Sequence, residues 1–210
     1  LLGIQKKNYK VRPHTKDELS HYSKKTIDFE YKFPFGWKEL YGLAYRTDFD
    51  LKQHQEHSKK DLEYRDNQTN KKFLPHVIEP TFGLDRTVLM VLLDAYTEEK
   101  VKKETRVVLK LNKNIAPVQI AVLPLSKKPK LAKVAQTVFQ MLQTEFRAMY
   151  DETQSIGKRY RRQDEIGTPY CMTVDFDSLE DKSVTVRDRD SMKQERVRIK
   201  ELEDYLRKKF

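Results

Sequence analysis

Cysteine occurs once in these 210 residues, at position 171. A lone thiol cannot close an internal disulfide, which fits a reducing compartment and leads to the expectation of a cytoplasmic chain. Long apolar runs are missing too. None approaches the roughly 20 residues that a membrane-spanning helix needs, and Leu1–Tyr9 lacks the layout of a signal peptide, so no membrane partner is expected. There is no internal repeat and no low-complexity tract. No Ser/His/Asp or Cys/His grouping points to a protein nucleophile. HQEH at His54–His57 lacks the HExxH spacing and has no cysteine cluster or third ligand nearby, so it reads as surface. KDEL at Lys16–Leu19 is internal and carries no retention meaning. Leu1 stands where an initiator Met would, which suggests a fragment or a processed chain.

What is present is charge. The formal net charge is +10, unevenly spread: residues 1–100 hold 18 basic and 16 acidic groups, residues 101–210 hold 24 and 16. A positive second half suits a polyanion partner, because Lys and Arg attract phosphates and release their counterions. Ordinary solubility accounts for the same bias equally well.

β-Branched and aromatic alternation predicts strands at Thr26–Phe33, Glu39–Arg46, Lys72–Pro80, Pro117–Leu125, Tyr170–Phe176 and Ser183–Arg187. Helical spacing of apolar residues predicts helices at Asp85–Tyr96 and Leu131–Phe146, with an amphipathic helix closing the chain at Ile199–Phe210. The Lys/Glu-rich stretch Glu98–Asn114 marks a domain junction, although Arg106–Leu111 within it could be a short strand. Strands with one terminal helix therefore precede a strand–helix–strand alternation, as in a small α/β layer.

The densest chemistry lies in PHVIEPTFGLDRTVLMVLLDAY, Pro75–Tyr96. Glu79 ends an apolar strand, Gly83 permits a tight turn, and a helix opens with Asp85 and Arg86. A helix N-terminus favours phosphate, and an early arginine adds a planar cation. Most strand–Gly–helix turns are plain connections, so this pattern alone does not decide. In WKELYGLAYRTDFDL, Trp37–Leu51, alternation sets Glu39, Tyr41, Leu43 and Tyr45 on one face, with Leu40, Gly42, Ala44 and Arg46 on the other. An edge strand with a solvated Glu and Arg would look the same.

The strings KELYGLAYRTDFDLKQH, PHVIEPTFGLDR, IAPVQIAVLPL, SIGKRYRRQDEIGTPYC and VTVRDRD follow one another in that order. Together they resemble the C-terminal part of the dimeric class II glycyl-tRNA synthetases, over essentially the whole chain. The resemblance implies an α+β fold: the C-terminal part of an antiparallel catalytic sheet (1–100), a connecting segment (101–116) and a small α/β anticodon-binding domain (117–210). It implies ATP and Mg²⁺ as cofactors, and glycine and tRNA-Gly as substrates, with a homodimer in the full-length enzyme. By the same resemblance Glu39, Leu40, Gly83, Leu84, Asp85 and Arg86 would bind ATP, Glu39 being linked to Mg²⁺. Glu79, Pro80, Thr81, Phe82, Gly83 and Arg46 would form the glycine site. Thr81 departs from the family's usual Ser, keeping the hydroxyl and adding a methyl. The family's first two class II motifs lie upstream of what this chain contains, so the chain alone is expected not to activate glycine.

In the second half the resemblance is to the anticodon-binding domain that glycyl enzymes share with threonyl, prolyl and histidyl ones. Lys158, Arg159, Arg161 and Arg162 around Tyr160 could track phosphates, while Asp164 and Glu165 could accept from cytosine N4. KRYRRQDE is also an ordinary charged helix with pairs such as Arg161–Glu165. Arg187 and Arg189 read as a solvated strand face, and Cys171 as a small buried hydrophobe. Two further readings stand beside a glycine ligase: a non-catalytic tRNA- or RNA-binding fragment or paralogue, and a synthetase for another amino acid. The lone Cys171 argues against a zinc-dependent threonyl enzyme.

Overall fold

The structure is a computed structural model that describes residues 2–101 and 104–210. The chain divides into two units, Ile4–Asp94 and Ala95–Phe210, the latter joined by residues 2–3. The division falls at Asp94, ahead of the connecting segment expected at 101–116. Of that segment, residues 102–103 lie outside the described residues.

The first unit is built on β1 (Tyr9–Pro13), β2 (Lys25–Phe33), β3 (Gly36–Thr47) and β6 (Val77–Phe82), hydrogen-bonded in that order. All neighbours are antiparallel. Between β3 and β6 come α1 (Phe49–Ser58) and a two-stranded pair, β4 (Tyr64–Arg65) with β5 (Lys72–Phe73). The strand expected at Lys72–Pro80 is therefore two strands. After Gly83, α2 (Leu84–Ala95) begins, one residue earlier than the spacing suggests. Tyr31, Phe33, Leu40 and Met90 are the buried apolar residues of this unit.

In the second unit β7 (Tyr96–Val101) pairs with β8 (Glu104–Leu109). A mixed sheet follows: β9 (Ile120–Pro124), α3 (Pro129–Leu142), β10 (Ala148–Tyr150), α4 (Ile156–Ile166), β11 (Tyr170–Val174), α5 (Ser178–Asp181), β12 (Ser183–Asp188), β13 (Gln194–Arg198) and α6 (Leu202–Arg207). The strand order is β10-β9-β11-β12-β13, the first three being parallel and the last two antiparallel. Pro129 suits the first turn of α3, where its missing N–H has no intrahelical partner. Leu131, Ala135, Val138 and Leu142 then repeat at helical spacing and are buried against Ile120, Val122, Met172 and Val184. On the other sheet face Ala121, Leu123 and Cys171 meet Ile156 and Tyr160. Burial pushes the Cys171 thiol up to about 12, so it behaves as a small hydrophobe. Gly167 ends α4 in the left-handed region at φ +84°, where a Cβ would stand 2.8 Å from the Leu109 carbonyl oxygen.

Candidate functional site

The register of the first unit sets polar residues in rows across its sheet. Arg12 pairs with Asp28, Asp28 with Gly42, and Gly42 with Thr81. One step along, Thr26 pairs with Ala44 and Ala44 with Glu79. Directly opposed residues share a face, so Asp28, Glu79 and Thr81 surround a floor made by Gly42 and Ala44. The floor is low because neither residue carries more than a methyl.

Glu39 joins this face through a bulge, which corrects the alternation reading. Phe29 pairs with Tyr41 but Glu30 pairs with Glu39, so Leu40 is skipped and Glu39 changes sides. Leu40 is 5% exposed and belongs to the core. A Cβ on Gly42 would lie 3.5 Å from Glu39 Oε1, an ordinary contact that leaves the carboxylate against the floor.

Two hollows adjoin at Glu39. The smaller, about 280 Å³, is lined by Asp28, Glu39, Gly42, Ala44, Glu79 and Thr81, with Arg46 and His14 among its polar walls. The larger, about 540 Å³, is lined by Phe33, Phe35, Lys38, Glu39, Arg86 and Leu89. Arg86 Nη1 donates to the Glu39 carbonyl oxygen at 2.9 Å, and its guanidinium makes no ion pair among the described residues. Tyr41 bonds Thr87 at 2.8 Å, and the Thr87 hydroxyl donates to the Gly83 carbonyl at 2.7 Å, tying β3 to the first turn of α2.

Arg46 is the cation of the smaller hollow. Its Nε donates to Asp50 Oδ2 and its Nη2 to Asp50 Oδ1, each at 2.6 Å, and Nη1 donates to Glu79 Oε2 at 2.7 Å. The Arg46 hydrogen bond holds the Asp50 carboxyl below the usual carboxylate range. Asp28, 7% exposed, accepts from His14 Nε2 at 2.7 Å and from Arg12 Nη2 at 3.0 Å.

Of the residues expected to bind ATP or glycine, Glu39, Arg46, Glu79, Thr81 and Arg86 meet at these hollows. Pro80, Phe82, Leu84 and Asp85 line neither, and Phe82 is 70% exposed with its ring edge-on to Tyr41. Gly83 does not need glycine's freedom for a turn: its φ is not positive, and an added Cβ would meet only the Arg86 side chain at 3.6 Å. Asp28, His14 and Tyr22 went unread. An aspartate in mid-strand, where it is disfavoured, was the available signal for Asp28.

The second unit brings a larger correction. Arg159 is 2% exposed and Asp164 1%, so neither reaches a base. Arg159 donates to backbone carbonyls of Thr153, Gln154 and Pro124. Asp164 accepts from Arg106 Nε at 2.8 Å and from Arg187 Nη1 at 2.9 Å. Arg187 and Arg189 are themselves buried, and Arg189 donates to the carbonyls of Gly167 and Leu111, so the solvated face expected for them is absent. Arg161 and Arg162 are partly exposed but paired, with Glu104 at 3.2 Å and Asp151 at 2.6 Å; Glu165 is exposed. Lys158 on the same helix is exposed and makes no ion pair among the described residues, and a denser group of free cations lies elsewhere. Lys127, Lys128, Lys130 and Lys133 are exposed and without an acidic partner among the described residues, and Lys128 Nζ sits 4.9 Å over the ring of exposed Phe176.

Known proteins share both the sequence and the fold. The anticodon binding domain family matches residues 119–209. The chain is 60% identical over 210 residues to the glycine–tRNA ligase of Acetivibrio thermocellus and 59% to that of Ruminiclostridium cellulolyticum, covering 100% of this chain in both cases. It is 57% identical to that of Staphylococcus epidermidis over 99% of its length. It spans 45% of each relative, less than half of their length. Among solved structures, prolyl-tRNA synthetase from Cryptosporidium parvum, complexed with L-proline and AMP, superposes with a TM-score of 0.71 at 19% identity, covering 95% of this chain and 41% of that one. That likeness is one of fold. Matched end to end by these ligases, the chain is similar over its whole length to part of the glycine–tRNA ligases, with an anticodon binding domain at residues 119–209.

Proposed function

We propose that this chain supplies the C-terminal part of a glycine–tRNA ligase, which activates glycine with ATP and transfers it to tRNA-Gly. The observation that carries the reading is the meeting of two hollows at Glu39, one acidic and shallow-floored, the other walled by Phe33, Phe35 and Arg86, whose guanidinium makes no ion pair among the described residues. Asp28, Glu39 and Glu79 suit an ammonium, and a floor of Gly42 and Ala44 suits an amino acid with no side chain. Selection of glycine is steric, since nothing can attract an absent group. The larger hollow offers aromatic walls for a base and a cation for phosphate.

Mg²⁺ fits this site only as an ion brought in on ATP. Among the described residues no group of three or more His, Cys, Asp or Glu could hold a metal. An ion already bound to phosphates needs one or two carboxylates, and Glu39 supplies one. The chain's own residues position the reactants and stabilise charge, without a nucleophile.

For the second unit we place the RNA-binding surface at the carboxyl ends of β9, β10 and β11. The strand order changes direction there, and open α/β sheets bind ligands at such points. Lys127 and Lys128 follow β9, and Phe176 follows β11. Free lysines beside an exposed ring suit an unpaired RNA loop, with phosphates on the cations and a base on the ring. Glu165, Arg161 and Arg162 remain on the flanking helix as secondary contacts.

The test is glycine-dependent ATP–pyrophosphate exchange and tRNA charging by the complete ligase that carries this segment. Glu79→Gln should weaken glycine, and Arg86→Ala should weaken ATP. The 210 residues alone should give no exchange. Exchange with another amino acid in preference to glycine would sink the reading.

A further inference from the structure

Arg46 stands between two carboxylates that compete for it. Asp50 takes Nε and Nη2 through both of its oxygens, leaving Glu79 a single bond from Nη1 to Oε2. Glu79 Oε1 has no hydrogen-bond partner among the described residues, and the side chain is 45% exposed. The plane of the guanidinium lies over Tyr22, 4.0 Å from the ring centroid, which fixes its tilt.

The backbone is bent to make this possible. Thr47 ends β3 at φ 57°, in the left-handed region that β-branched residues rarely adopt. The turn passes directly into α1, whose second residue is Asp50, so a carboxylate four positions after Arg46 swings back onto it. Backbone strain of this kind persists where the surroundings over-determine it, commonly beside a ligand site.

We infer that Asp50, with the Tyr22 ring, is a positioning residue of the amino-acid pocket, keeping Arg46 from closing both of its forks on Glu79 and so leaving Glu79 Oε1 free for the substrate ammonium. Guanidinium–carboxylate pairs favour the two-bond arrangement. Without Asp50, Arg46 would turn to both Glu79 oxygens and remove the acceptor from the pocket. This rests on the glycine pocket proposed above.

The experiment is glycine and ATP titration of pyrophosphate exchange in the complete ligase, comparing Asp50→Ala, Asp50→Asn and Asp50→Glu with the parent. Asp50→Ala should raise the KM for glycine about 10-fold or more, with the KM for ATP within about twofold. Asp50→Glu, which keeps the charge, should recover part of that loss, and Lys52→Ala on the same helix should change neither constant. Asp50→Asn keeps the shape and stands in if the alanine variant does not fold. A glycine KM within about twofold of the parent for both Asp50→Ala and Asp50→Asn would overturn the inference. So would equal losses for glycine and ATP accompanied by a lower Tm, which would mark a merely structural residue. A parent that exchanges without glycine dependence would remove the pocket itself, and this role with it.

Discussion

Asp164 and Arg106 form an ion pair inside the second unit, Oδ2 to Nε at 2.8 Å, with side-chain exposures of 1% and 0%. Arg187 completes the pair from the opposite side, at 2.9 Å. Arg106 also donates to Glu99 at 2.7 Å and to the Arg189 carbonyl, so β8, α4 and the end of β12 are joined by one set of charges. Removing the shared anion leaves two buried guanidinium groups facing each other. Asp164→Ala should therefore cost about 3–5 kcal/mol, measured as a lower urea midpoint for the second unit. A cost below about 1 kcal/mol would equate the pair with a surface bridge.

The same carboxylate sets a pH dependence. Burial pushes Asp164 up, but the hydrogen bonds from Arg106 and then Arg187 outweigh it and hold the group below the ordinary range. A depressed folded-state value means that the stabilisation is complete above the unfolded value, about 3.9, and fades as pH falls through the folded one. Acidification below about pH 4 should thus destabilise the parent chain, and Asp164→Asn should flatten that limb without abolishing it. Asp151, Asp175, Asp181 and Asp188 are among the other carboxylates held low, and they contribute to the remainder. An unchanged acid limb in the variant would exclude Asp164 from it.

Gly167 and Gly157 sit at opposite ends of α4 and should respond with opposite signs. At Gly167 a methyl would meet the Leu109 carbonyl at 2.8 Å and a Leu111 methyl at 2.9 Å, on a backbone at φ +84°. Gly167→Ala should cost more than about 2 kcal/mol. At Gly157 nothing lies within 4 Å, and the backbone is helical, so alanine should add up to about 0.5–1 kcal/mol. Paired denaturation curves decide both.

These residues mark where the sequence was legible and where it was not. α3 is readable because Leu131, Ala135, Val138 and Leu142 obey a local period; its bounds differ from the expected ones at both ends, since the helix opens at Pro129 and Phe146 is buried but lies beyond it. Glu39 was set on the wrong face because the bulge at Leu40 depends on how β2 pairs, which no period within β3 records. Asp164 looked like a solvent carboxylate in KRYRRQDE because its partners lie 58 and 23 residues away. β1 escapes the sequence reading although Tyr9, Val11 and Pro13 alternate with Lys10 and Arg12: the run is five residues long, ends in Pro and lies nearly all exposed at a sheet edge. Local patterns gave the scaffold; long-range pairing assigned the charges to their roles.

The shallow floor gives a prediction of its own. A Cβ on Gly42 would stand 3.5 Å from Glu39 Oε1, so the fold should accept Gly42→Ala with little loss of stability. The added methyl would enter the smaller hollow, which has room in hand only because Gly42 and Ala44 are small. In the complete ligase the KM for glycine should rise about 10-fold, since a methyl's worth of clash is worth about 1–3 kcal/mol. Unchanged glycine kinetics would place the amino acid elsewhere.

Lys127 and Lys128 should matter more to RNA than Arg161 and Arg162, although the arginines are the more conspicuous in sequence. Arg161 and Arg162 already hold Glu104 and Asp151, whereas the two lysines have no acidic partner among the described residues. Each lysine that meets a phosphate releases counterions, contributing about −0.7 to the slope of log K against log salt on single strands. The double variant Lys127→Ala, Lys128→Ala should therefore weaken tRNA-Gly binding and reduce that slope by about 1.4. Phe176→Ala should cost about 1–3 kcal/mol of affinity with the slope unchanged, as loss of a stacking surface does. If instead Arg161→Ala and Arg162→Ala carried the salt dependence and the lysine variant bound normally, the RNA would lie along α4, and the pairs with Glu104 and Asp151 would have to open to receive it.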